Sequence, residues 1–199
     1  MQPYFFPYIG YFNLINMTDI FVFLDNVQFN RRGWIHRNKL FNFEDNLDWL
    51  TLPLKKKSRE STKIIDLELH QDFETIFFEQ FLKFPKLKNL KSSNYNIFKS
   101  MFDIDCSVNE YLCRTIINTS KILGISAQFY KSSDLNLEKQ EGYQKDIINI
   151  IKTFNCDEYY NLPGGRDLYD FNDFKNNKIN LNFVDDDKRK YSILETVIS

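Results

Sequence analysis

Apolar residues recur along this chain with two different periods, and the places where the period changes divide it into short strands and amphipathic helices. Residues 19–24 (Asp-Ile-Phe-Val-Phe-Leu) form a continuous apolar run closed by Asp25-Asn26. An unbroken run of that length predicts a strand covered on both faces, as in a parallel sheet. Residues 27–41 are mixed: Val27 and Phe29 suggest that the strand resumes before Arg31-Arg32-Gly33-Trp34 turns the chain. Leu47 to Leu54 predicts a further strand, and Lys63–Leu69 is strand-like. Residues 72–83 then place Phe73, Ile76, Phe77 and Phe81 at helical spacing, with Pro85 expected to stop that helix.

A longer helix is predicted over about 107–123, with Ser107 as cap and Glu110 completing a capping box. Its apolar positions Val108, Leu112, Ile116 and Ile122-Leu123 recur near a period of 3.6, and Gly124 ends it. Beyond it come a short strand (125–131), a helix (143–154) carrying Ile147, Ile148, Ile150, Ile151 and Phe154, and a strand from Asp157 to Asn161. Pro163-Gly164-Gly165 makes a turn, Leu168–Lys175 is helix-like, and Ile179 to Val184 is a last alternating strand. Strands alternating with helices in this half argue for βαβ units. The expected fold is α/β: a mostly parallel sheet with flanking helices and a helical insertion at about 72–123, all in a single domain over 1–199.

Composition supports a packed core, with 43% hydrophobic and 17% aromatic residues among 199. Phe 20 and Tyr 11 also fit the bias an AT-rich genome imposes on a Lys-, Asn- and Ile-rich protein. A formal net charge of −1 offers no whole-protein field to recruit nucleic acid or an anionic membrane. No run approaches the roughly 18 apolar residues of a membrane span. The opening Met1-Gln2-Pro3 lacks the basic start of a signal peptide, so a cytoplasmic location is expected. Cys106, Cys113 and Cys156 form no Cys-x-x-Cys pair, and with only His36 and His70 beside them a zinc site is hard to assemble. No metal and no particular cofactor is indicated.

The chemically dense region is the first sixty residues. In Gln2-Pro3-Tyr4-Phe5-Phe6-Pro7-Tyr8-Ile9-Gly10, prolines pin the backbone and Gly10 permits close approach. Gln2, Tyr4 and Tyr8 then offer a polar group and faces to a sugar or base; the same aromatics equally suit a plug at the end of a sheet. The segment from Asp25 to Asn38 follows a buried strand, where open α/β sheets place their ligands. Arg31 and Arg37 can clamp phosphate or carboxylate, with Gln28 and Asn38 as polar neighbours and Trp34 as a stacking face. His36 titrates near neutrality, and Asp25 can bind a hydroxyl or act as a base. Otherwise the segment is a solvated turn. Lys55-Lys56-Lys57-Ser58-Arg59 is a solvated charge run or, if it shares an edge with Arg31 and Arg37, the rest of an anion pocket. Gly164 and Gly165 after a strand, with Tyr169, make either a tight turn or a phosphate loop, without Walker or dinucleotide spacing. Asp185-Asp186-Asp187 reads as a solvated turn.

Taken together these segments resemble the WbqC-like protein family. The resemblance rests on Gln2-Pro3-Tyr4-Phe5-Phe6-Pro7-Tyr8-Ile9-Gly10-Tyr11-Phe12-Asn13-Leu14-Ile15, on Asp25-Asn26-Val27-Gln28-Phe29, and on Arg32-Gly33-Trp34-Ile35-His36-Arg37-Asn38. Thr51-Leu52-Pro53-Leu54-Lys55, Gly164-Gly165-Arg166 with Leu168-Tyr169, and Tyr191-Ser192-Ile193-Leu194-Glu195 carry it to the end of the chain. Family members place a short apolar strand ahead of the Gln-Pro pair, so for a chain read from Met1-Gln2 either the start is misassigned or the first strand is lost, which would leave the sheet short. The resemblance implies bacterial surface-polysaccharide (O-antigen) synthesis. The function expected is transfer of an acyl or aminoacyl (glycine-type) group to a nucleotide-linked amino sugar. Its partners would be a nucleotide sugar and an acyl or aminoacyl donor. A glycosyl- or nucleotidyl-transferase and a non-catalytic sugar-binding or scaffolding protein are the alternatives. The resemblance carries over no catalytic residues, so His36 and Asp25 stand on their own chemistry.

Overall fold

Eight helices and six strands alternate in the computed structural model: α1 (Ile9–Asn16), β1 (Ile20–Phe23), β2 (Arg37–Phe41), β3 (Leu47–Thr51), α2 (Phe73–Gln80), α3 (Pro85–Ser93), α4 (Tyr95–Phe102), α5 (Val108–Ile122), β4 (Gln128–Lys131), α6 (Tyr143–Thr153), β5 (Glu158–Asn161), α7 (Phe171–Asn176), β6 (Asn180–Phe183) and α8 (Leu194–Val197). The structure describes residues 1–58, 60–93, 95–135, 137, 142–185, 187 and 189–198, with side chains at 91–98 left aside, and these counts refer to them. Arg59 of the basic run and Asp186 of the acidic run lie outside the described residues. Among those described, no helix is long and apolar enough to cross a membrane.

The fold is mixed α/β with small sheets. β1 pairs with β4 in parallel (Ile20↔Gln128 to Phe23↔Lys131), and β5 pairs with β6 in parallel (Glu158↔Asn180 to Asn161↔Phe183). The third pair, β2 with β3, is antiparallel, from Arg37↔Thr51 to Phe41↔Leu47. β2 was hidden in the sequence because its inward positions are Asn38 and Leu40, a polar residue breaking the alternation. Residues 64–66 wind as a 3-10 turn instead of a strand, because the amides of Ile64 and Ile65 reach across to the carbonyls of Val27 and Asp25. Bridges at Gln28↔Lys63 and Leu54↔Leu69 are all that remains of pairing there.

Helix α1 begins at Ile9, where the proline-pinned N-terminal segment ends. Gly10, Tyr11, Phe12, Leu14 and Ile15 are all buried, so the helix is apolar nearly all round and shows no one-sided stripe. Pro85 closes the first helical stretch, as expected, but also opens α3, where a missing N–H costs nothing. Ser107 caps α5 through the Glu110 amide (3.2 Å), whereas the Glu110 carboxylate turns away to Lys131 (2.9 Å). Gly124, at φ +73°, ends α5 as the sequence indicates.

Two apolar clusters fill the interior. The larger gathers Phe5, Phe6, Tyr11, Phe12, Phe21 and Phe23 with Phe77, Phe81 and Phe102 of the central helices. The smaller joins Leu24 to Ile147, Ile148, Ile151, Tyr169, Phe174 and Ile179 around α6. A cleft of about 470 Å³ runs between β1 and β5, bounded by Phe21, Val22, Ile151 and Tyr160. Met1 stands at one end of it as a lone parallel bridge to β1: its amine donates to the Val22 carbonyl (2.9 Å) and its carbonyl accepts from Leu24 (2.8 Å).

Candidate functional site

Asp25 ends the β1 segment and is wholly buried, yet not alone. Its carboxylate accepts from Ser132 Oγ (2.9 Å), the Ser133 amide (3.0 Å), Ser133 Oγ (2.7 Å) and Asn109 Nδ2 (2.9 Å). Burial alone would raise its pKa; the bonds from Ser133, Asn109 and Ser132 outweigh that and hold it below the ordinary carboxylate value. These four bonds lock the carboxyl ends of β1 and β4 to α5.

Beyond Asp25 the chain crosses the Gln28–Lys63 bridge and rounds a turn over residues 30–33. Between this turn and the basic run lies a basin of about 430 Å³, lined by Gln28, Phe29, Arg31, Arg32, Lys55 and Lys57, with Ser58 and Thr62 adding hydroxyls. Lys55 and Lys57 share Glu68 (2.9 and 2.6 Å), whereas Arg31 and Arg32 form no ion pair among the described residues. Cations that no carboxylate neutralises, around a depression floored by Phe29 and Leu67, suit a phosphate or carboxylate ligand.

His36 is buried behind this basin. Its ring meets Phe29 edge-on with centroids 5.2 Å apart, and its Nδ1 has no hydrogen-bond partner. Burial lowers its pKa to about 4, helped by the charges of Arg37 and Arg31. The imidazole is therefore neutral at neutral pH.

The structure brings Gln28, Arg31 and Lys55 together and places the remaining candidates elsewhere. Arg37 folds back, donating from Nε to the Gly33 carbonyl (3.2 Å) and from its terminal nitrogen to the Arg32 carbonyl (2.7 Å), with its guanidinium 4.2 Å from the Trp49 ring centre. Trp34 packs on the same ring at 5.2 Å. Both serve the shape of the turn. Asn38 is buried and donates to the carbonyls of Phe5 (3.2 Å) and Phe6 (2.7 Å). Ser192 Oγ donates to the same Phe6 carbonyl (2.9 Å), so the start, β2 and the tail are laced together. Phe6 sits at φ +40°, a left-handed conformation costly for a bulky residue and tolerable because these bonds over-determine it.

In that N-terminal segment Gly10 is buried inside α1, while Gln2, Tyr4 and Tyr8 stay partly exposed; Tyr8 lies under Lys190, 4.3 Å from its ring centre. Gly164, Gly165 and Tyr169 gather past the end of β5, on a 3-10 turn over Pro163–Leu168. Tyr169 Oη accepts from Asn161 Nδ2 (2.8 Å) and meets Tyr159 Oη at 3.2 Å. A side chain at 165 would meet Asn161 Nδ2 at 3.1 Å, so Gly165 is explained by close packing within this turn. Sequence reasoning missed Ser132, Ser133, Asn109 and Tyr143. Paired serines directly after a predicted strand were the one usable signal, since only the fold brings the others near.

The profile of the WbqC-like protein family matches residues 2–196 of this chain. An uncharacterised protein of Mycobacterium tuberculosis, Rv1507c, is similar at 26% identity over 199 residues, covering 94% of this chain and 81% of the relative. No solved structure matches significantly.

Proposed function

This chain belongs to the WbqC-like protein family, and from that premise we propose that it transfers an acyl or aminoacyl group to the amine of a nucleotide-linked amino sugar in bacterial surface-polysaccharide synthesis. The observation that carries the proposal is the basin in which Arg31 and Arg32 stand without carboxylate partners beside Lys55 and Lys57. Phosphates of the acceptor occupy it, held by the guanidinium forks. The acceptor amine then attacks the carbonyl carbon of the donor: the C–N bond forms, the bond to the donor's leaving group breaks, and the amine proton leaves with the departing group, His36 being buried behind the basin. Gln28 orients the acceptor. Asp25, saturated by its own donors, acts as a positioning residue for the strand ends.

A bound anion opposes the field of Arg31 and Arg37 at His36. Its pKa is thus expected to climb from about 4 toward the ordinary 6.5 when the basin fills. Uridine diphosphate followed by NMR titration of His36 checks this, and an unmoved pKa at saturating ligand contradicts the proposal. Arg31→Ala should weaken the same ligand by about tenfold or more. The saturation of Asp25 favours one rival, a non-catalytic sugar-binding protein, and tight binding without turnover for any acyl donor would select it.

A further inference from the structure

A second cleft of about 560 Å³ opens on the other side of the Gln28–Lys63 bridge, at the carboxyl ends of β1 and β4. Leu24, Val27, Ile147 and Ile150 make its floor, and Asn26, Ser132, Asn149 and Tyr143 add neutral polar groups around it. Gln28 lines this cleft and the basic basin alike, so the two adjoin there. They differ sharply in charge. Among the described residues the basin keeps Arg31 and Arg32 without an ion pair, whereas the second cleft includes Glu60 and Asp146 beside Lys63, whose amine donates to Asn26 Oδ1 (2.8 Å). Among the described residues its charges do not favour a second anionic group.

Tyr143 gives this cleft an aromatic face. It is 45% exposed, and its ring packs against that of Tyr169. Tyr169 is in turn fixed by Asn161 at 2.8 Å, and the two tyrosine rings lie 6.2 Å apart. An exposed ring backed by a second, fixed ring loses little freedom on binding, which is what a stacking platform needs. An apolar ring face, amides, hydroxyls and an apolar floor together match a hydroxylated ring with apolar C–H faces.

We infer that the cleft under Tyr143 seats the sugar ring of a sugar nucleotide whose diphosphate lies in the adjoining basic basin. This rests on the reading of the basin given above and assigns the sugar to Tyr143, Asn26 and Ser132 instead of to the N-terminal aromatics. Phe5 and Phe6 of that segment are buried in the core and present no face.

The test compares uridine diphosphate with uridine diphosphate-glucosamine by calorimetry on the full chain. The sugar-bearing ligand is expected to bind about tenfold tighter. Tyr143→Ala should abolish most of that increment while leaving uridine diphosphate alone unchanged, whereas Tyr143→Phe, which keeps the aromatic face, should retain it. Arg31→Ala should weaken both ligands equally. Unchanged melting of the Tyr143 variant shows that the loss is local. If uridine diphosphate binds through Arg31 but the sugar adds nothing, or if its increment survives Tyr143→Ala, the inference falls while the basin stands. If neither ligand binds, both fall.

Discussion

Asp25→Ala is expected to cost about 3–5 kcal/mol, a large share of the total stability of a domain and enough to lower the melting temperature by about 6–20 °C. The carboxylate is fully buried and serves four donors on two segments: Asn109 on α5, and Ser132 and Ser133 beyond β4. Removing it strands the Ser133 amide and the Asn109 amide away from water, and each stranded donor is more expensive than the bond it made. Asp25→Asn keeps the shape but turns a donor toward the Ser133 amide, so it should also destabilise, though less. Because the pKa of Asp25 is lowered in the folded protein, its stabilisation is present above the unfolded value near 3.9 and disappears as pH falls through the folded one. Chemical denaturation of the two variants at pH 7 decides the matter: stability within experimental error of the parent would mean that the four bonds hold nothing together.

His36 should make the protein acid-sensitive well above the carboxylate range. Its folded pKa is about 4 against 6.5 unfolded, so between those values the unfolded chain binds more protons than the folded one. Stability is therefore complete above pH 6.5 and drains away as pH falls toward 4, by on the order of 3 kcal/mol. His36→Leu removes both the titration and the unpartnered Nδ1 and should flatten the curve in that window. The Met1 amine, pushed down to about 5 by burial, titrates in an overlapping range, so the difference between parent and variant isolates His36. Parallel curves for the two proteins from pH 4 to 6.5 would show that His36 is solvated.

Legibility in the sequence followed the strength of one-sided burial. α5 and α6 carry regular apolar stripes and a recognisable cap, and both were readable within a residue or two. α1 is covered nearly all round and β2 has Asn38 facing inward, so neither shows a stripe to read. The same logic governs the site. Arg31 and Lys55 were identifiable as charges without an obvious structural duty, and the fold does bring them to one basin. Arg37 and Asn38 looked alike in the sequence, yet one stacks on Trp49 and the other ties down the carbonyls of Phe5 and Phe6. Partners 12 to 33 positions away decide such roles, and no local pattern encodes them.

The cleft between β1 and β5 has a bearing on amide hydrogen exchange. In a strand, successive residues aim their N–H groups at opposite edges. The register with β4 points Phe21 and Phe23 into the ladder, so Ile20 and Val22 face the cleft. Likewise Glu158 and Tyr160 of β5 turn away from β6 toward the same space. Deuterium uptake should therefore alternate residue by residue: slow at Phe21 and Phe23, fast at Ile20 and Val22. A strand in the middle of the chain's largest core would exchange on one edge as readily as a surface loop.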